Sequence, residues 1–327
     1  MSGGICRFCG ENYSLQDLMY LDTTSEGFFC DYCDGFTYTD KEKNEVQKFN
    51  LILEEPSPAR SKDVKTTRKF NKRLSPLRYP GGKSKITDIL YQKIQVNRSN
   101  KLVGVFAGGA SFELAMLDAG VVERVVLNDL DYGIYSLFRT ICENPEALIN
   151  KIQHTELNHS NFFSARDTIL DSYSNKTPLE AAWALLIANR LSYSGITKAN
   201  PLGGRKGTIT QLLSRWNKDD LCKRIKKIHS MAERIEVTQI DALELIEDEY
   251  WNESTTLFID PPYVKKGSQL YKCFYQERDH ISLLGLLDSL YQGVPGADIL
   301  VTYDNHPLIS NYACHPKIEV LNRVFSC

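Results

Sequence analysis

The sequence Leu257-Phe258-Ile259-Asp260-Pro261-Pro262-Tyr263 decides the predicted fold. Its apolar first half has the β-branched and aromatic composition of a short buried strand. Two prolines then fix φ and offer no N–H donor, so Asp260 and the carbonyls beside it form a stiff group of acceptors at the end of that strand. Open α/β sheets bind their ligands at such strand ends. A simple turn after a strand explains the same residues, so the rest of the chain has to distinguish the two interpretations.

A second predicted strand, residues 102–106, leads into the small residues Ala107-Gly108-Gly109-Ala110, and a helix begins at Ser111. Small residues let a ligand approach the backbone closely, and a helix N-terminus favours an anion. Tight packing of the turn explains the glycines equally well. The spacing is not that of a Gly-x-Gly-x-x-Gly loop, which disfavours a pyrophosphate site.

A third predicted strand, residues 124–127, ends near Asp129 and Asp131. An acid at this place in a Rossmann-like half accepts hydrogen bonds from ribose hydroxyls. Asp129 is the preferred candidate, with Asp131 close enough to be confused with it. The alternative is that Asp129 caps a helix over residues 132–143.

The later elements continue an alternation of strands and helices. Strands are predicted over residues 236–240, 299–303 and 317–325, and a helix over residues 277–292. Another helix starts at the capping-box pair Thr177 and Glu180 and runs through Leu191. These patterns indicate an α/β fold, interrupted by a helical segment between about residues 145 and 234.

Four cysteines near the N-terminus have the spacing of a structural zinc site. Cys6 and Cys9 form one pair and Cys30 and Cys33 another, each with two residues between its members. Each pair places two sulfurs on one side of a tetrahedron, as Zn²⁺ requires. Four unligated or oxidised cysteines are the alternative.

The charge of this N-terminal segment limits its role. Residues 1–55 carry eleven acids and four bases, a balance of −7. A zinc ion bound by four thiolates would add about −2. Phosphate backbones would be repelled. We therefore predict a zinc-ribbon-like module for folding or for contact with a protein partner, not a DNA-reading finger.

Composition indicates a cytoplasmic protein. The 327 residues carry a net charge of only −2, so overall charge does not identify a partner. The sequence shows no N-terminal apolar signal segment and no apolar run long enough to cross a membrane. Nine cysteines without such a signal segment favour reduced thiols and metal ligation.

Positive charge is concentrated in one part of the chain. Residues 189–230 contain ten bases and two acids, a balance of +8 in a nearly neutral protein. Such a segment is the electrostatic signature of a phosphate-binding surface, with a solvated helix face and loop as the alternative. Residues 56–73 are also basic and are typical of a solvated linker.

The ordered set of motifs resembles the DNA adenine-N6 methyltransferase family. In order, these are the aromatic-x-Gly-Gly-Lys segment Tyr79-Pro80-Gly81-Gly82-Lys83, the Gly-rich turn, the acid after the next strand, the basic insert and Asp260-Pro261-Pro262-Tyr263. The resemblance covers residues 75–325. It implies the Rossmann-like sheet of an S-adenosylmethionine-dependent methyltransferase, with a helical target-recognition insert.

The resemblance also implies roles for particular residues. The catalytic residues would be Asp260, Pro261, Pro262 and Tyr263, with Asp260 and the Pro261 carbonyl holding the amine and Tyr263 stacking on a flipped base. Cofactor-binding residues would be Tyr79, Lys83, Phe106, Ala107, Gly108, Gly109, Asp129, Asp241 and Asp260. A helix cap is the alternative for Asp241. Double-stranded DNA would be bound by Arg78, Asn189, Arg190, Ser194, Lys198, Arg205 and Lys206, where Ser194 and Lys198 replace the family's usual Asn and Arg.

These interpretations divide the chain into four parts. Residues 1–55 would form the zinc module, 56–74 a basic linker, 75–144 and 235–327 the catalytic domain, and 145–234 the target-recognition insert. The protein would be bacterial or phage-encoded and nucleoid-associated. An RNA adenine methyltransferase, a cytosine-N4 enzyme and a catalytically silent nucleic-acid-binding protein remain the alternatives.

Overall fold

A seven-stranded sheet organises the chain. The computed structural model describes residues 48–56, 68–79, 81–94, 96, 98–197, 199–264, 274–310 and 317–323, together with five short strands before Lys48. The sheet strands are β1 (Phe49–Pro56), β2 (Lys101–Gly104), β3 (Arg124–Asn128), β4 (Ile235–Thr238), β5 (Thr255–Ile259), β6 (Asp298–Asp304) and β7 (Lys317–Arg323). Their order is β7-β1-β6-β5-β2-β3-β4, and every pairing is parallel.

The helices confirm the predicted α/β class. They are α1 (Thr87–Tyr91), α2 (Ser111–Asp118), α3 (Tyr132–Glu143), α4 (Pro145–His154), α5 (His159–Leu170), α6 (Pro178–Leu191), α7 (Ile209–Leu212), α8 (Lys218–His229), α9 (Ala242–Tyr250), α10 (Glu277–Gln292) and α11 (Pro307–Ser310). Short 3₁₀ turns cover Lys83–Lys85, Tyr193–Gly195, Leu213–Arg215 and Ala232–Arg234. Among these helices, none combines the length and the apolar composition needed to cross a bilayer.

Helices cover both faces of the sheet. All five residues of β5 are buried, which explains why it reads as a continuous apolar run and not as an alternating one. Phe258 packs with α2 on one face, whereas Leu257 and Ile259 pack with α9 and α10 on the other. The central strands therefore have no solvated face.

The strand order reverses between β2 and β5. From β2 the chain proceeds through α2 to β3 on one side, and from β5 through α10 to β6 on the other. The two strands pair directly, with Phe258 opposite Gly104. A crevice opens outside the carboxyl ends of strands at such a switch point, which is where this class of fold binds ligands.

Strand β1 corrects one predicted boundary. Residues 49–55 were assigned to the N-terminal module and Pro56 to the linker, but Phe49–Pro56 lies in the sheet between β6 and β7. Leu51 and Leu53 pack on one face of the sheet and Ile52 on the other. Sequence did not reveal this strand, because its partners are more than 200 residues away in the chain.

The N-terminal zinc prediction lies mostly outside the described residues. The short strands there are Gly4–Ile5, Asn12–Tyr13, Thr23–Thr24, Gly27–Cys30 and Gly35–Tyr38, paired in one two-stranded and one three-stranded antiparallel sheet. Cys6, Cys9 and Cys33 are outside the described residues, and only the backbone of Cys30 is described.

The helical segment before β4 has a core of its own. Leu157, Phe162 and Ile169 pack against the buried face of α6, where Ala184, Ile187 and Leu191 lie. Helix α6 begins at Thr177, whose side chain accepts from the Glu180 amide while the Glu180 carboxylate accepts from the Thr177 amide. The capping box predicted from sequence is thus confirmed. It fixes the start of α6, whose last turn carries Asn189 and Arg190.

Candidate active site

A cavity of about 380 Å³ lies at the carboxyl ends of β2, β3 and β5. Its wall includes every residue that the sequence analysis assigned to cofactor binding, namely Tyr79, Lys83, Phe106, Ala107, Gly108, Gly109, Asp129, Asp241 and Asp260. These residues come from five separate stretches of the chain. The parallel topology brings them together because each stretch follows a strand or flanks α2.

The turn between β2 and α2 is shaped by one glycine. Gly108 has φ of 47°, and a Cβ there would lie 2.6 Å from the Tyr79 ring. A side chain would therefore be strained and would displace the tyrosine. The amide of Ala107 donates to the Asn128 carbonyl at 2.7 Å, which fixes the turn against the end of β3.

The two acids after β3, Asp129 and Asp131, accept different hydrogen bonds. Asp131 Oδ1 accepts from the Gly133 amide at 2.8 Å and from the Tyr173 hydroxyl at 3.1 Å, so Asp131 is the N-cap of α3. Asp129 Oδ2 accepts from the Gly108 amide at 2.9 Å, and its Oδ1 accepts from the Asp131 amide at 2.9 Å. Burial, with the charge of Asp131 acting in the same direction, raises the pKa of Asp129 to about 7. Asp129 lines the cavity, and its proposed role toward a ribose remains a prediction.

Asp241 confirms the helix-cap interpretation, and its role toward a cofactor remains a prediction. Its Oδ1 accepts from the Leu243 amide at 2.9 Å and caps α9. The same residue lines the cavity across from the Gly-rich turn.

Asp260 is held by one of its two oxygens. Oδ1 lies 2.7 Å from Lys83 Nζ and accepts from the Thr302 hydroxyl at 2.8 Å. Among the described residues no hydrogen bond reaches Oδ2, and the side chain keeps 19% of its surface exposed. Burial raises the pKa of Asp260, the Lys83 ammonium opposes that shift, and Glu54 adds to it. The carboxylate is thus fixed through Oδ1 at the wall of the cavity.

Lys83 joins the cavity wall to β1. Its ammonium donates to the Tyr263 hydroxyl at 2.8 Å and to the Gly81 carbonyl at 3.0 Å, and lies 3.3 Å from Glu54 Oε1. Lys83 is 3% exposed and Glu54 is fully buried. Sequence reasoning missed Glu54 and Thr302. Glu54 could have been suspected because an acid directly follows the run 49–53. No local feature of the sequence points to Thr302.

Tyr263 is buried in this structure. Its hydroxyl donates to Glu54 Oε2 at 2.9 Å, and the Lys83 ammonium lies 5.1 Å from the ring centroid. Pro262 lines the cavity, but Tyr263 and Pro261 are not part of its wall. Stacking of Tyr263 on a base, and acceptance of a hydrogen bond by the Pro261 carbonyl, remain predictions.

Comparison with known proteins gives the family. The family described as "D12 class N6 adenine-specific DNA methyltransferase" matches residues 79–312, which include the Gly-Gly-Lys segment, the cavity and the insert. The chain belongs to this family. Membership confirms the family resemblance predicted from sequence.

Part of the chain is also similar to proteins named as ribosomal RNA methyltransferases. Ribosomal RNA large subunit methyltransferase K/L from Shewanella sp. strains ANA-3, MR-4 and MR-7 is 30% identical over 112 residues. The match covers 32% of this chain and 15% of each of those proteins. The chain therefore spans a small part of these relatives.

In this D12-class chain, the predicted DNA-binding residues do not all face outward. Asn189 is 2% exposed; its Oδ1 accepts from the Arg78 amide at 2.8 Å, and its Nδ2 donates to the carbonyls of Arg78 at 3.1 Å and Gly195 at 2.9 Å. With these groups used internally, Asn189 braces Arg78 and has no exposed group for direct DNA contact, contrary to the sequence prediction.

The other predicted contacts differ in exposure. Arg205 and Lys206 are exposed, and the Arg205 guanidinium lies 5.9 Å from the Phe163 ring centroid. Ser194 is half-buried with φ of 58°. Arg190 is buried at the end of α6. Lys198 lies outside the described residues.

No metal site appears in the part of the chain that the structure describes. Nowhere in it do three or more His, Cys, Asp or Glu side chains gather in a way that could hold an ion. The predicted site of Cys6, Cys9, Cys30 and Cys33 lies mostly outside these residues and has to be tested separately.

Glu113 is an acid of the cavity that sequence reasoning did not select. It lies in the first turn of α2, is 2% exposed and lines the cavity, and its Oε1 has no hydrogen-bond partner among the described residues. The carboxyl group occupies the space above Gly104, where a Cβ would collide with Oε1. Burial raises the pKa of Glu113 to about 8, with Asp260 adding to the shift and Lys83 opposing it.

Glu113 predicts how stability depends on pH. Its pKa is raised from 4.5 in the unfolded chain to about 8, so between these values the folded protein retains a proton that the unfolded chain has released. The free energy of unfolding should therefore fall as pH rises from about 5 to 8, and Glu113→Gln should flatten much of that fall. Urea unfolding of the cofactor-free protein at several pH values measures it.

Glu249→Gln is the matched control, because Glu249 pairs with Lys101 at 2.6 Å away from the cavity. It should leave the fall in place. An unchanged pH dependence in Glu113→Gln would show that Glu113 is not the titrating group.

Proposed function

We propose that the protein transfers a methyl group from S-adenosylmethionine to the N6 amine of adenine in double-stranded DNA. The observation that carries the proposal is Asp260, which lines the cavity and whose Oδ1 is bound by Lys83 and Thr302. A carboxylate fixed in this way can accept a hydrogen bond from an amine without first changing its orientation. Family membership supplies the reaction class.

The chemistry explains why an acceptor is needed. The N6 lone pair of adenine is delocalised into the ring, so the amine attacks poorly unless its hydrogens are held by acceptors that favour a tetrahedral nitrogen. S-adenosylmethionine supplies an activated methyl group on a sulfonium. The contribution of this chain is orientation, which accounts for much of the rate in such transfers.

The cavity residues fit this cofactor. Ala107, Gly108 and Gly109 leave room at the N-terminus of α2, which favours a carboxylate. Asp129 would accept from the ribose hydroxyls, Asp241 would meet the adenine, and Tyr79 and Phe106 would pack against it. Lys83 is committed to Asp260, Glu54 and Tyr263 in this structure, so its predicted contact with the cofactor carboxylate would require it to share its donors.

A base inside a duplex cannot reach Asp260. We propose that the target adenine is flipped into the cavity, because stacking otherwise blocks the approach to N6. Phe274 and Tyr275 line the cavity near the start of α10 and offer aromatic faces for the base. They supplement Tyr263, which is buried in this structure.

An RNA adenine methyltransferase is the second candidate. Its support is the similarity of a 112-residue stretch to enzymes named as ribosomal RNA methyltransferases. The family description names DNA and adenine N6, which favours DNA over RNA and adenine over cytosine N4. A catalytically silent binding protein is disfavoured by the placement of Asp260 toward the cavity.

The division of the chain follows from the proposal. We assign residues 75–144 and 235–327, together with β1, to the catalytic domain, and residues 145–234 to target recognition. The protein would be bacterial or phage-encoded and associated with the nucleoid.

Asp260→Asn tests the catalytic role. The variant's carbonyl oxygen would remain with Lys83 and Thr302, so its NH₂ group would face the substrate amine as a donor where an acceptor is needed. Methyl transfer should fall about 100-fold or more, by analogy with loss of one positioned hydrogen-bonding group. Affinity for S-adenosylmethionine, measured by calorimetry, should change little.

Glu249→Gln should retain full methyl transfer, since Glu249 lies outside the cavity. Asp260→Asn with undiminished methyl transfer would refute the mechanism.

We also propose that Cys6, Cys9, Cys30 and Cys33 bind one structural zinc ion, as their spacing predicts. The protein should carry one equivalent of zinc, and Cys6→Ser combined with Cys30→Ser should release it. Metal content by plasma mass spectrometry measures this, with the paired change Cys142→Ser and Cys222→Ser as the control, because both are free cysteines elsewhere. Equal zinc in all three proteins would refute the site.

The excess of acidic residues in residues 1–55 would suit a basic protein partner.

A further inference from the structure

Glu113 brings a buried carboxyl group to the wall of the cavity. The side chain is 2% exposed, and its Oε1 has no hydrogen-bond partner within the part of the chain that the structure describes. A buried acceptor without a donor is destabilising, so each such group in a folded protein calls for an explanation. The place of Glu113 on the cavity wall indicates that a bound molecule supplies the missing donor.

The backbone fixes where this carboxyl group lies. Glu113 is the third residue of α2, and a Cβ at Gly104, the last residue of β2, would collide with its Oε1. The glycine therefore leaves the space that the carboxyl group fills. Phe258 of β5 pairs with Gly104, and Asp260 follows two residues later. Both acids thus line the cavity at the ends of two adjacent strands.

The donor that Oε1 lacks has to be an N–H or O–H group. The cofactor of the proposed function offers three kinds, namely the ribose hydroxyls, the adenine amine and the α-ammonium group. The first two are assigned to Asp129 and Asp241. The sulfonium is charged but has no hydrogen to donate. The α-ammonium group is the remaining donor, and its positive charge strengthens a hydrogen bond to a carboxylate.

The turn before α2 suits the other end of the same amino acid group. Ala107, Gly108 and Gly109 leave room at the N-terminus of the helix, where a carboxylate is favoured. Glu113 lies in the first turn of that helix. The carboxylate and the ammonium of an amino acid are attached to one carbon, so their two sites have to be neighbours. The start of α2 meets this requirement.

We propose that Glu113 binds the α-ammonium group of S-adenosylmethionine and loses a proton to solvent when it does so. The carboxyl O–H bond breaks, the proton passes to water or buffer, and the carboxylate then accepts a hydrogen bond from the ammonium. This inference rests on the proposed function for the identity of the cofactor. It adds a binding residue that the sequence analysis did not select and makes cofactor binding depend on pH.

The charges around Glu113 support this order of events. Burial raises the pKa of Glu113 to about 8; the backbone amides at the start of α2 and the Lys83 ammonium oppose the shift, whereas Asp260 adds to it. At pH 7 the free protein therefore holds Glu113 mainly protonated. An ammonium group beside it would favour the ionised form. The remaining titratable side chains of the cavity wall are Tyr79, Asp129, Asp131, Asp241, Tyr275 and Asp279.

Calorimetric titration of the full chain with S-adenosylhomocysteine tests the proposal, because this molecule carries the same amino acid group and is not consumed. Titrations at pH 7 in two buffers with different heats of ionisation give the number of protons released. The unmodified protein should release about one proton more than Glu113→Gln does, because pH 7 lies below the pKa of Glu113. Affinity should fall about 10- to 100-fold in Glu113→Gln, the range for losing a hydrogen bond to a charged group.

A desamino analogue of S-adenosylhomocysteine, in which hydrogen replaces the α-amino group, separates Glu113 from the other acids. It keeps the ribose and the carboxylate, so any proton released by Asp129, whose pKa burial raises to about 7, appears with both molecules. Unmodified protein and Glu113→Gln should bind the analogue with equal affinity and equal proton release.

Asp118→Asn is the matched control variant. Asp118 is the last residue of the same helix, pairs with Lys227 at 2.6 Å and is not part of the cavity wall. This variant should bind S-adenosylhomocysteine with the affinity and the proton release of the unmodified protein.

Two outcomes would overturn the inference while cofactor binding itself survives. One is an affinity and proton release in Glu113→Gln equal to those of the unmodified protein. The other is an equal loss of affinity for S-adenosylhomocysteine and for the desamino analogue, which would show that Glu113 only shapes the cavity. An unmodified protein that binds neither S-adenosylmethionine nor S-adenosylhomocysteine would refute the proposed function and this inference together. Proton-coupled binding without methyl transfer would refute the proposed function alone.

Discussion

One buried ammonium group organises the site. Lys83 Nζ binds the carboxylate of Asp260 at 2.7 Å, the hydroxyl of Tyr263 at 2.8 Å and, at 3.3 Å, the carboxylate of Glu54. These groups come from the Gly-Gly-Lys turn, the end of β5 and the strand β1, so one cation connects three distant parts of the chain. Removing one member of such a buried set leaves an uncompensated charge, which costs about 3–5 kcal/mol. The arrangement therefore fixes Asp260 before any substrate is present.

The same turn connects the cavity to the helical insert. Residues before the glycines are braced by Asn189 and Arg224, and the residue after them binds Asp260. Tyr79, between the two, packs against Gly108 at the wall of the cavity. The segment from Ser75 to Lys83 therefore joins the helical insert to the cavity wall through direct contacts.

Local signals allowed some of the structure to be predicted from sequence. Helices α6 and α10 lie where they were predicted, α6 because its capping residues mark where it begins, and β5 has a continuous apolar run. Strand β1 was missed, since its position in the sheet depends on pairing with β6 and β7, which lie far along the chain. Sequence also could not separate Asp129 from Asp131, two residues apart, because only their hydrogen bonds show which one caps α3. Nor could it show that Asn189 faces inward, since burial of one polar side chain leaves no periodic trace.

The central claim is that Asp260 holds the N6 amine of adenine for methylation, and the chemical identity of the product tests it most directly. Duplex DNA would be incubated with the protein and S-adenosylmethionine carrying an isotopically labelled methyl group, digested to nucleosides and analysed by mass spectrometry, with RNA of the same sequence in parallel. The account predicts label in N6-methyl-2′-deoxyadenosine from the duplex. Label in methylated cytosine, label confined to RNA, or no label in any nucleoside would contradict it.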